Sequence, residues 1–587
     1  MRWLRAVTLL AACALVGERP PAQTDIARTV HNLTPGGPGA VKESVPTGLC
    51  VFCHTPHNAN PQISLWNRDL PGLTYQLYAS STLRATLNQP TGTSRLCLSC
   101  HDGVMALGNL RTPAAADTLK LGPLTGPTRL GTDLSDDHPI SFTYDSALVT
   151  QHPGLVEPGS LPSAIRLAGG KLECSTCHNA HEHRRAQFLR MDNANGALCL
   201  ACHSPPQWAG SDHANSSAVW NGSGVRPWPP DGAATVAANA CRNCHRSHSA
   251  GHGPRLLAWR GEAENCSVCH GGTVSTKNVA AEFANGAKFS RHPIDAAEWT
   301  HDPQENPATM ARHVTCSDCH NPHAANSRPA APPLVPGALQ GVPGVSIGGT
   351  TVAQASFEYE VCLKCHGLRE PTTPGLTRVE TTRVVRTRID PANASYHPIA
   401  APGRNATIKG LRAPYTAAST IGCIDCHNNS DLVPRGAHAS RFAPILERGY
   451  STSDPQPESL ASYDLCYKCH DRGTLLSSAS GFPHAKHVVE KQAPCAACHD
   501  AHGSQKSPHL INFLLRDTSG KAVVTANSRG QLQYVSTLGG GSCSLTCHGE
   551  EHTGLAYGAA ARLVRPLALP GRRMPAPPPP SQPPGRQ

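Results

Sequence analysis

Apolar residues occur in short runs along this chain, and long stretches rich in glycine and proline separate the runs. One kind of run places an apolar residue directly before a cysteine and predicts a short helix, as at Leu96, Leu198, Val361 and Leu465. Another kind ends in a basic residue, as in Leu65-Trp66-Asn67-Arg68, Phe188-Leu189-Arg190 and Phe513-Leu514-Leu515-Arg516. The pattern therefore predicts a mostly irregular chain with short helices, a few hairpins and long connections.

The longest apolar run near the start extends from Ala6 to Val16 and follows a basic beginning. It is too short for a stable membrane anchor, so residues 1–22 predict a secretory signal peptide. Cys13 lies in Leu10-Ala11-Ala12-Cys13, which resembles the lipobox of bacterial lipoproteins. Either Cys13 carries a lipid anchor, or the signal is cleaved further on, near Ala22. No other segment is apolar enough to cross a membrane.

The composition argues against several classes of protein. Only 5% of the 587 residues are aromatic and 16% are charged, whereas glycine and proline number 52 and 53. A compact enzyme with an aliphatic core is a poor match, and a coiled coil would need far more charge. A highly charged disordered chain is a poor match too, because this chain carries 25 cysteines and 32 histidines.

The cysteines form a repeated motif. Of the 25 cysteines, 24 make close pairs, and a histidine directly follows each pair. Eleven pairs have the spacing CxxCH, namely Cys50, Cys53 and His54; Cys97, Cys100 and His101; Cys174, Cys177 and His178; Cys199, Cys202 and His203; Cys241, Cys244 and His245; Cys266, Cys269 and His270; Cys316, Cys319 and His320; Cys362, Cys365 and His366; Cys423, Cys426 and His427; Cys466, Cys469 and His470; and Cys495, Cys498 and His499. The twelfth pair is stretched by one residue, with Cys543, Cys547 and His548.

CxxCH is the attachment signal for c-type haem. Two thiols form thioethers with the two porphyrin vinyl groups, and the adjacent histidine supplies one axial nitrogen to the iron. A single CxxC also suits half of a zinc site or a short redox disulfide. Neither of these needs a histidine directly after the second cysteine, so its repetition favours twelve covalently attached haems c. The twelfth motif is the least regular, because a longer spacer changes the reach of its sulfurs.

Low-spin haem iron needs a second axial ligand, and the histidine count can supply it. The motifs use twelve of the 32 histidines. Most odd-numbered motifs carry another histidine three residues after the first, and each pair of motifs has one more upstream. The candidate second ligands are His31, His57, His138, His181, His213, His248, His292, His323, His397, His438, His484 and His502.

The candidate ligands show one local signature and one gap. His138, His292 and His397 each precede Pro-Ile, and proline would fix the backbone there and hold the ring at one angle. The ninth motif has no histidine three residues after His427, and His438 is the nearest replacement. The alternative ligands are His152, His301, His313, His487 and His552.

Taken two at a time, the motifs divide the chain into six tandem modules. The predicted modules are residues 23–130, 131–212, 213–285, 286–385, 386–480 and 481–560. Residues 561–587 form a basic, proline-rich tail that is predicted to be disordered.

Over residues 31–552, this array resembles the doubled-CxxCH-motif multihaem c-type cytochromes of metal-reducing and other respiratory bacteria. The resemblance rests on the paired CxxCH sites, the CxxCHxxH member with its trailing apolar and basic stretch, and the upstream His-Pro-Ile. It implies bis-histidine haems, electron transfer and a periplasmic or outer-surface location. Because the chain is poor in aromatic residues, we expect the haems to supply much of the apolar core and to lie close together.

The formal net charge of +10 changes once haem is included. Each haem brings two propionates, so twelve oxidised haems give a net charge of about −2 and twelve reduced haems about −14. The basic residues are therefore expected to neutralise propionates, and no nucleic-acid partner is expected.

The sequence supports an exported electron carrier in the periplasm, the outer membrane or on the cell surface. The expected partners are other redox proteins or cytochromes, an outer-membrane porin-type protein, or further copies of the chain. The alternative is a multihaem reductase of a small nitrogen or sulfur oxyanion, which needs one iron with an open coordination position. A zinc- or disulfide-stapled scaffold is a third possibility, and no catalytic residue is predicted.

Overall fold

The computed structural model describes residues 26–63, 65–70, 72–112, 119–224, 235–294, 301–372 and 375–558. The predicted signal peptide with Cys13, and the predicted tail over 561–587, lie outside the described residues. Two compact units are present. The first holds the described residues up to Cys269 together with 301–304, and the second holds 270–294 and the described residues from Glu305 onward. The predicted boundaries of six modules stay a prediction.

The α-helices are short, as expected where glycine and proline interrupt the chain so often. In chain order they are α1 (Gly92–His101), α2 (Ser146–Gln151), α3 (Cys174–Cys177), α4 (Ala197–Leu200), α5 (Asp212–Asn215), α6 (Val236–Asn239), α7 (Glu262–His270), α8 (Val279–Ala284), α9 (Cys316–Cys319), α10 (Glu358–His366), α11 (Val385–Arg388), α12 (Leu460–Tyr467), α13 (Arg472–Leu475) and α14 (Cys495–Cys498).

Single turns of other helix types lie between them. A π-helix spans Ala485–Glu490. The 3₁₀ turns are Ile26–Arg28, Leu49–Phe52, Pro158–Ser160, Ala186–Phe188, Ala194–Gly196, Trp208–Gly210, Ala240–Asn243, Pro254–Leu256, Gly337–Leu339, Cys423–Asp425 and Ser478–Ser480.

The helices predicted to lead into the even-numbered motifs are present as α1, α4, α10 and α12. In α1 and α10 the leucine beside the first motif cysteine is almost fully buried, with Leu98 0% and Leu363 1% exposed. The hydroxyl of Ser459 accepts a hydrogen bond from the Ser462 amide and caps the start of α12. The buried leucines thus help to stabilise α1 and α10, and the serine cap helps to stabilise the start of α12.

Most strands are two residues long and pair far along the chain. They are β1 (Gln76–Leu77), β2 (Asp133–Leu134), β3 (Phe142–Thr143), β4 (Lys171–Leu172), β5 (Ser290–Arg291), β6 (Gly344–Val345), β7 (Thr351–Val352), β8 (Thr377–Arg378), β9 (Ser395–Tyr396), β10 (Ala439–Ser440), β11 (Gly503–Ser504) and β12 (Leu514–Arg516). β1 and β2 are parallel, whereas β3–β4, β5–β10, β6–β7, β8–β12 and β9–β11 are antiparallel.

A larger sheet lies at the end of the second unit. Its strands are β13 (Val524–Thr525), β14 (Gln533–Thr537), β15 (Gly540–Cys547) and β16 (Glu550–Gly558). β15 lies at the centre, where it pairs with β16 along its length and with β14 and then β13 on the other side. This antiparallel sheet is the most regular part of the described chain.

The apolar cores are small and separate. One around the larger sheet contains Phe513, Leu514, Val524 and Leu545, with Cys498, Cys543 and Cys547 packed against it. Another surrounds α10 and includes Val345, Leu363 and Ile389. Within the described residues, no helix is both long and apolar enough to cross a membrane. The mostly irregular architecture with short helices and small sheets is the one predicted.

Candidate cofactor-binding sites

Each regular CxxCH motif forms one helical turn. In the first motif, the backbone N–H of His54 donates to the carbonyl of Cys50 at 2.8 Å. The same bond, at 2.8–3.0 Å, is made by His178, His203, His245, His320, His427, His470 and His499. The other three regular motifs lie within α1, α7 and α10. Side chains three residues apart share one face of such a turn, so both sulfurs of a motif can reach one porphyrin.

Backbone carbonyls orient the rings of the motif histidines. Nδ1 of His178 lies 2.7 Å from the carbonyl oxygen of Gln187. Comparable contacts of 2.8–3.0 Å join Nδ1 of His101 to Thr128, His245 to Arg255, His320 to Ala338, His427 to Pro444 and His499 to His509. An Nδ1–H that donates to a carbonyl fixes the tautomer and leaves the Nε2 lone pair free to bind a metal.

A recurring backbone turn presents several of these carbonyls, and the sequence analysis did not find it. Two successive residues with positive φ form the turn, at Gln187–Phe188, Arg255–Leu256 and His509–Leu510. The next residue pairs with the motif histidine as a β-bridge, in the pairs Leu189–His178, Leu257–His245 and Ile511–His499. In the third, fifth and eleventh motifs, the apolar stretch that follows the motif is therefore the segment that returns past the histidine.

Motif histidines face other histidines across gaps of nearly constant width. The ring centroids of His54 and His181 are 6.2 Å apart, and their planes lie 15° from parallel. Five more pairs are separated by 6.2–6.3 Å: His31 with His101, His138 with His203, His178 with His248, His320 with His438, and His427 with His502. Bonds of about 2 Å to a central metal, plus about 1 Å from each nitrogen to its ring centre, require a separation of about 6 Å. The gaps therefore fit an iron with two axial imidazoles.

The protonation state of these rings also suits metal binding. Burial lowers the pKa of His427, His438, His470 and His499 to about 4. These side chains are therefore neutral at neutral pH, and the neutral imidazole is the form that binds a metal.

Comparisons with known proteins agree with this geometry. The family model described as "Doubled CXXCH motif" matches residues 167–207, which hold the third and fourth motifs. Over 168 residues the chain is 26% identical to the multiheme cytochrome MtrA of Shewanella baltica (strain OS185), covering 26% of this chain and 36% of that relative. These matches support a multihaem c-type cytochrome with doubled CxxCH motifs. Its cofactor is covalently bound haem c.

The histidine pairs of this cytochrome follow two rules. At odd-numbered sites, the second histidine comes from the next module, as in His54 with His181 and His178 with His248. At even-numbered sites it lies upstream in the same module, as in His101 with His31. His438 faces His320 in the same way as the second histidine of CxxCHxxH, such as His181, faces its partner elsewhere. At the first, third, seventh and ninth sites the facing histidine therefore belongs to the next predicted module, which a pattern local to each module does not reveal.

Paired strands place the predicted second ligands for the two sites of one module side by side. β9 pairs with β11 and places His397 beside His502, and the His397 amide donates to the His502 carbonyl at 3.1 Å. β5 and β10 bring His292 and His438 together in the same way, with an N–H to carbonyl distance of 3.3 Å. The His-Pro-Ile segments at His292 and His397 are thus positioned by strand pairing with the next predicted module.

Three further predicted ligands lie near motif histidines, as their effects on the pKa values of those histidines indicate. Besides burial, His292 lowers the pKa of His366, and His397 lowers that of His470. His484 has the same effect on His499. The roles of His213 and His323 stay predictions. The ring of His57 is exposed, and no second histidine ring faces it within the described chain.

The five alternative ligands have different surroundings. His313 Nε2 lies 3.2 Å from a carboxylate oxygen of Glu305 and 3.9 Å from one of Asp318. His487 and His552 face one another with centroids 6.4 Å apart. For His152 and His301 an axial role stays a prediction.

One predicted second ligand has a carboxylate as its hydrogen-bond partner instead of a carbonyl. Nδ1 of His248 lies 2.9 Å from Oδ1 of Asp137, a side chain that is 7% exposed. Burial opposes protonation of His248, but the hydrogen bond to Asp137 raises its pKa above the ordinary value. A carboxylate partner makes an imidazole a more electron-rich ligand, so the third site differs electrostatically from its neighbours.

The sulfurs of consecutive modules touch. Cys97 is hydrogen-bonded to Cys174, and this contact raises the pKa of the Cys97 thiol. The same contact joins Cys199 to Cys241, Cys362 to Cys423 and Cys466 to Cys495. Each contact links the even site of one module to the odd site of the next.

The two sites within a module are also close. After burial, Cys100 is the next cause that raises the pKa of the Cys53 thiol, to about 11. In five further modules a cysteine of one site raises the pKa of a cysteine of the other site. Cys202 raises the pKa of Cys177, Cys244 that of Cys269, Cys362 that of Cys319, Cys469 that of Cys426, and Cys547 that of Cys498. The cysteines of sites one to six thus form one continuous row, and those of sites seven to twelve another.

The twelfth motif does not adopt the turn of the others. Cys543 and Cys547 lie in the extended strand β15, and His548 follows at the turn into β16 with φ +51°. Nε2 of His548 lies 2.8 Å from Oδ1 of Asp454. Nε2 of this histidine therefore faces a carboxylate.

Proposed function

We propose that this cytochrome carries electrons along rows of closely spaced haems that each have two histidine ligands. The observation that carries the proposal is the succession of neighbouring cysteines within each unit, from site to site. Haem supplies an Fe(III)/Fe(II) couple that accepts and releases one electron. The polypeptide fixes the spacing, because each cysteine pair anchors one porphyrin edge beside the next.

The number of haems that we propose is twelve. Eleven motifs have the turn that lets two thioethers reach one porphyrin, and in six of them a carbonyl holds Nδ1 and leaves Nε2 available. The stretched twelfth motif brings two further cysteines to the same core as Cys498. Six histidine pairs at 6.2–6.3 Å support two imidazole ligands per iron. This ligation leaves no position open for a substrate at those sites, which favours a carrier over a reductase.

We also propose that the protein is exported and exchanges electrons with other redox proteins. The basis is the charged and apolar beginning of the chain, together with the similarity to a protein named multiheme cytochrome MtrA. The periplasm, the outer membrane and the cell surface are all compatible with this proposal, as are a porin-type partner, a lipid anchor at Cys13 and self-assembly.

Deleting one haem from the middle of a row tests the proposed conduction. The double variant Cys423→Ala with Cys426→Ala removes the ninth site, whose neighbours are sites eight and ten. After rapid reduction by less than one electron per chain, we expect electrons to redistribute within the second row more slowly than in the parent protein. Stopped-flow absorbance would follow the redistribution, and the potentials of the individual haems would identify the haems that become reduced.

The matched control is Cys50→Ala with Cys53→Ala, which removes one haem from the first row. Redistribution within the second row should then keep its parental rate. Equal rates in all three proteins would contradict conduction along the row. A high-spin haem in the parent protein, with catalytic consumption of nitrite or sulfite, would instead support the reductase.

A further inference from the structure

We propose that the buried guanidinium of Arg68 raises the potential of the haem at the first site above those of the second and third haems, so that electrons shared among these three collect at the first. The inference deepens the proposed function, because it assumes that haems are bound at these sites. It rests on the burial of Arg68, on its hydrogen-bond partners, and on its place between the first two motifs.

The backbone after the first motif carries Arg68 to the second motif. The amide of Asn67 donates to the carbonyl of Cys53 at 2.9 Å. The guanidinium of Arg68, the next residue, donates to the carbonyl of Ser99 at 3.2 Å, and Ser99 lies between the two cysteines of the second motif. Arg68 is therefore next to both motifs of the first module.

Protein atoms alone bury Arg68, which is 1% exposed. Its Nη1 donates to the carbonyl of Leu107 at 2.7 Å, and its Nη2 donates to that of Ala106 at 2.9 Å as well as to Ser99. Carbonyl groups are dipoles without net charge, so they satisfy these donors but leave the positive charge in place. Because the protein already covers the guanidinium, a haem propionate is not placed to pair with it.

The other buried cations have carboxylate partners. Four basic residues are buried in the part of the chain that the structure describes: Arg68, Lys288, Lys364 and Arg378. Each of the last three has a nitrogen 2.7–3.7 Å from a carboxylate oxygen, in the pairs Lys288–Asp431, Lys364–Asp318 and Arg378–Asp500. Among the described residues, Arg68 makes no ion pair, and its partners are the three carbonyls. Its charge is thus the buried positive charge that no carboxylate offsets.

The charge of Arg68 acts on both motifs. Burial raises the pKa of the Cys53 and Cys100 thiols, and Arg68 acts on both in the opposite direction. A positive charge that favours a thiolate also favours Fe(II) haem over Fe(III) haem, because the added electron removes one positive charge from the centre. No bond forms or breaks in this step, and the guanidinium keeps its proton throughout.

Carboxylates oppose this effect at the next two sites. The buried Asp102 acts against Arg68 on Cys100 in the second motif. At the third site, Oδ1 of Asp137 lies 2.9 Å from Nδ1 of the predicted ligand His248. At the first site, Arg68 has the largest electrostatic effect on Cys53 apart from that of Cys100. The first haem is therefore expected to have the highest potential of the three.

Redox titration of the full-length holoprotein, followed by absorbance, tests the proposal. Arg68→Met removes the charge, and we expect the ratio of reduced to oxidised first haem at a fixed applied potential to fall about tenfold, which corresponds to about 59 mV. Arg68→Lys keeps the charge and should retain the parental potential. Deleting one haem at a time by Cys→Ala at both cysteines of the first, second or third motif identifies the three components of the titration.

Arg111→Met is the matched control within the same module. Arg111 pairs with Asp69, whose side chain is 61% exposed, so water screens this pair and the titration should keep its parental form. The proposal is overturned if Arg68→Met, with its haem count unchanged, keeps the parental potentials, or if Arg68→Lys lowers the first potential as far as Arg68→Met does.

A measurement on the parent protein covers the case in which Arg68→Met fails to fold or loses haem. The component that disappears with the first motif should be the most positive of the three, and a first haem below the second or third in potential overturns the proposal. A parent protein without covalent haem, or with haems that exchange no electrons, would instead contradict the proposed function itself.

Discussion

The imidazole of His181 faces that of His54 with ring centroids 6.2 Å apart, although the two residues belong to different predicted modules. His57, which occupies the matching position in the first module, faces no other histidine ring in the described part of the chain. The module that binds a haem by its thiols is therefore not always the module that completes its iron coordination. Ligands shared in this way make the row of sites depend on contacts between modules.

The pairing of His54 with His181 predicts which substitution leaves a haem iron without its second axial ligand. We expect His181→Ala to produce one high-spin haem, because it removes the second ligand of the first site and leaves the third site intact. His57→Ala is the matched control and should leave every haem low-spin. Electron paramagnetic resonance of the oxidised proteins checks both. A high-spin haem in the His57 variant alone would contradict ligation across modules.

A second prediction concerns the seventh site, whose facing histidine, His438, is not part of a CxxCHxxH motif. His438 faces His320 at 6.2 Å, so His438→Ala should open the seventh site. His509→Asn is a suitable control, since His509 is exposed and contributes its carbonyl to His499. Asparagine tolerates the positive φ at that position. If His438→Ala remained fully low-spin, another ligand would have to serve the seventh site.

Ring orientation predicts two spectroscopic classes. The imidazole planes lie 4–35° from parallel in the four odd-numbered pairs, but 89° and 72° apart at sites two and four. Near-perpendicular imidazoles leave the iron d orbitals almost degenerate and give a large maximal g value, whereas near-parallel ones give an ordinary rhombic signal. Both signal types should therefore appear in the oxidised protein. A spectrum with one type only would contradict this geometry.

The carboxylate partner of His248 predicts a lowered potential at the third site. Asp137→Asn should raise the potential of that haem by tens of millivolts, because a tenfold change in relative affinity for the two iron states corresponds to about 59 mV. Asp136→Asn provides a control, since the Asp136 carboxylate lies 3.6 Å from His252 instead. Redox titration followed by absorbance measures the shift. Equal potentials in both variants would show that the contact does not tune this haem.

The local parts of the sites could be predicted from the sequence because they depend on neighbours in the chain. The CxxCH turns, the short helices at Leu96 and Val361, and the mostly irregular fold follow from spacing and apolar positions. The partner of each ring could not be predicted, because it depends on strand pairs such as β9 with β11 that join segments about 100 residues apart. A two-residue strand leaves no periodic signal.

The backbone conformation of the twelfth motif could not be predicted for a different reason. Its cysteines match the haem motif closely enough to suggest the same turn, yet they lie in a strand. A signal was present in Gln531-Leu532-Gln533-Tyr534-Val535-Ser536, where polar and apolar residues partly alternate before Gly539 and predict a hairpin. The turns at Gln187 and Arg255 left no such signal, because neither residue type favours positive φ.

The central claim is that these motifs hold a row of haems, each with two histidine ligands. The most direct measurement is the covalent haem content of the purified holoprotein, by pyridine haemochrome and by mass after denaturation, together with its spin state. The account predicts twelve haems per chain, all low-spin. A colourless protein, or one with only a few haems and several of them high-spin, would contradict it.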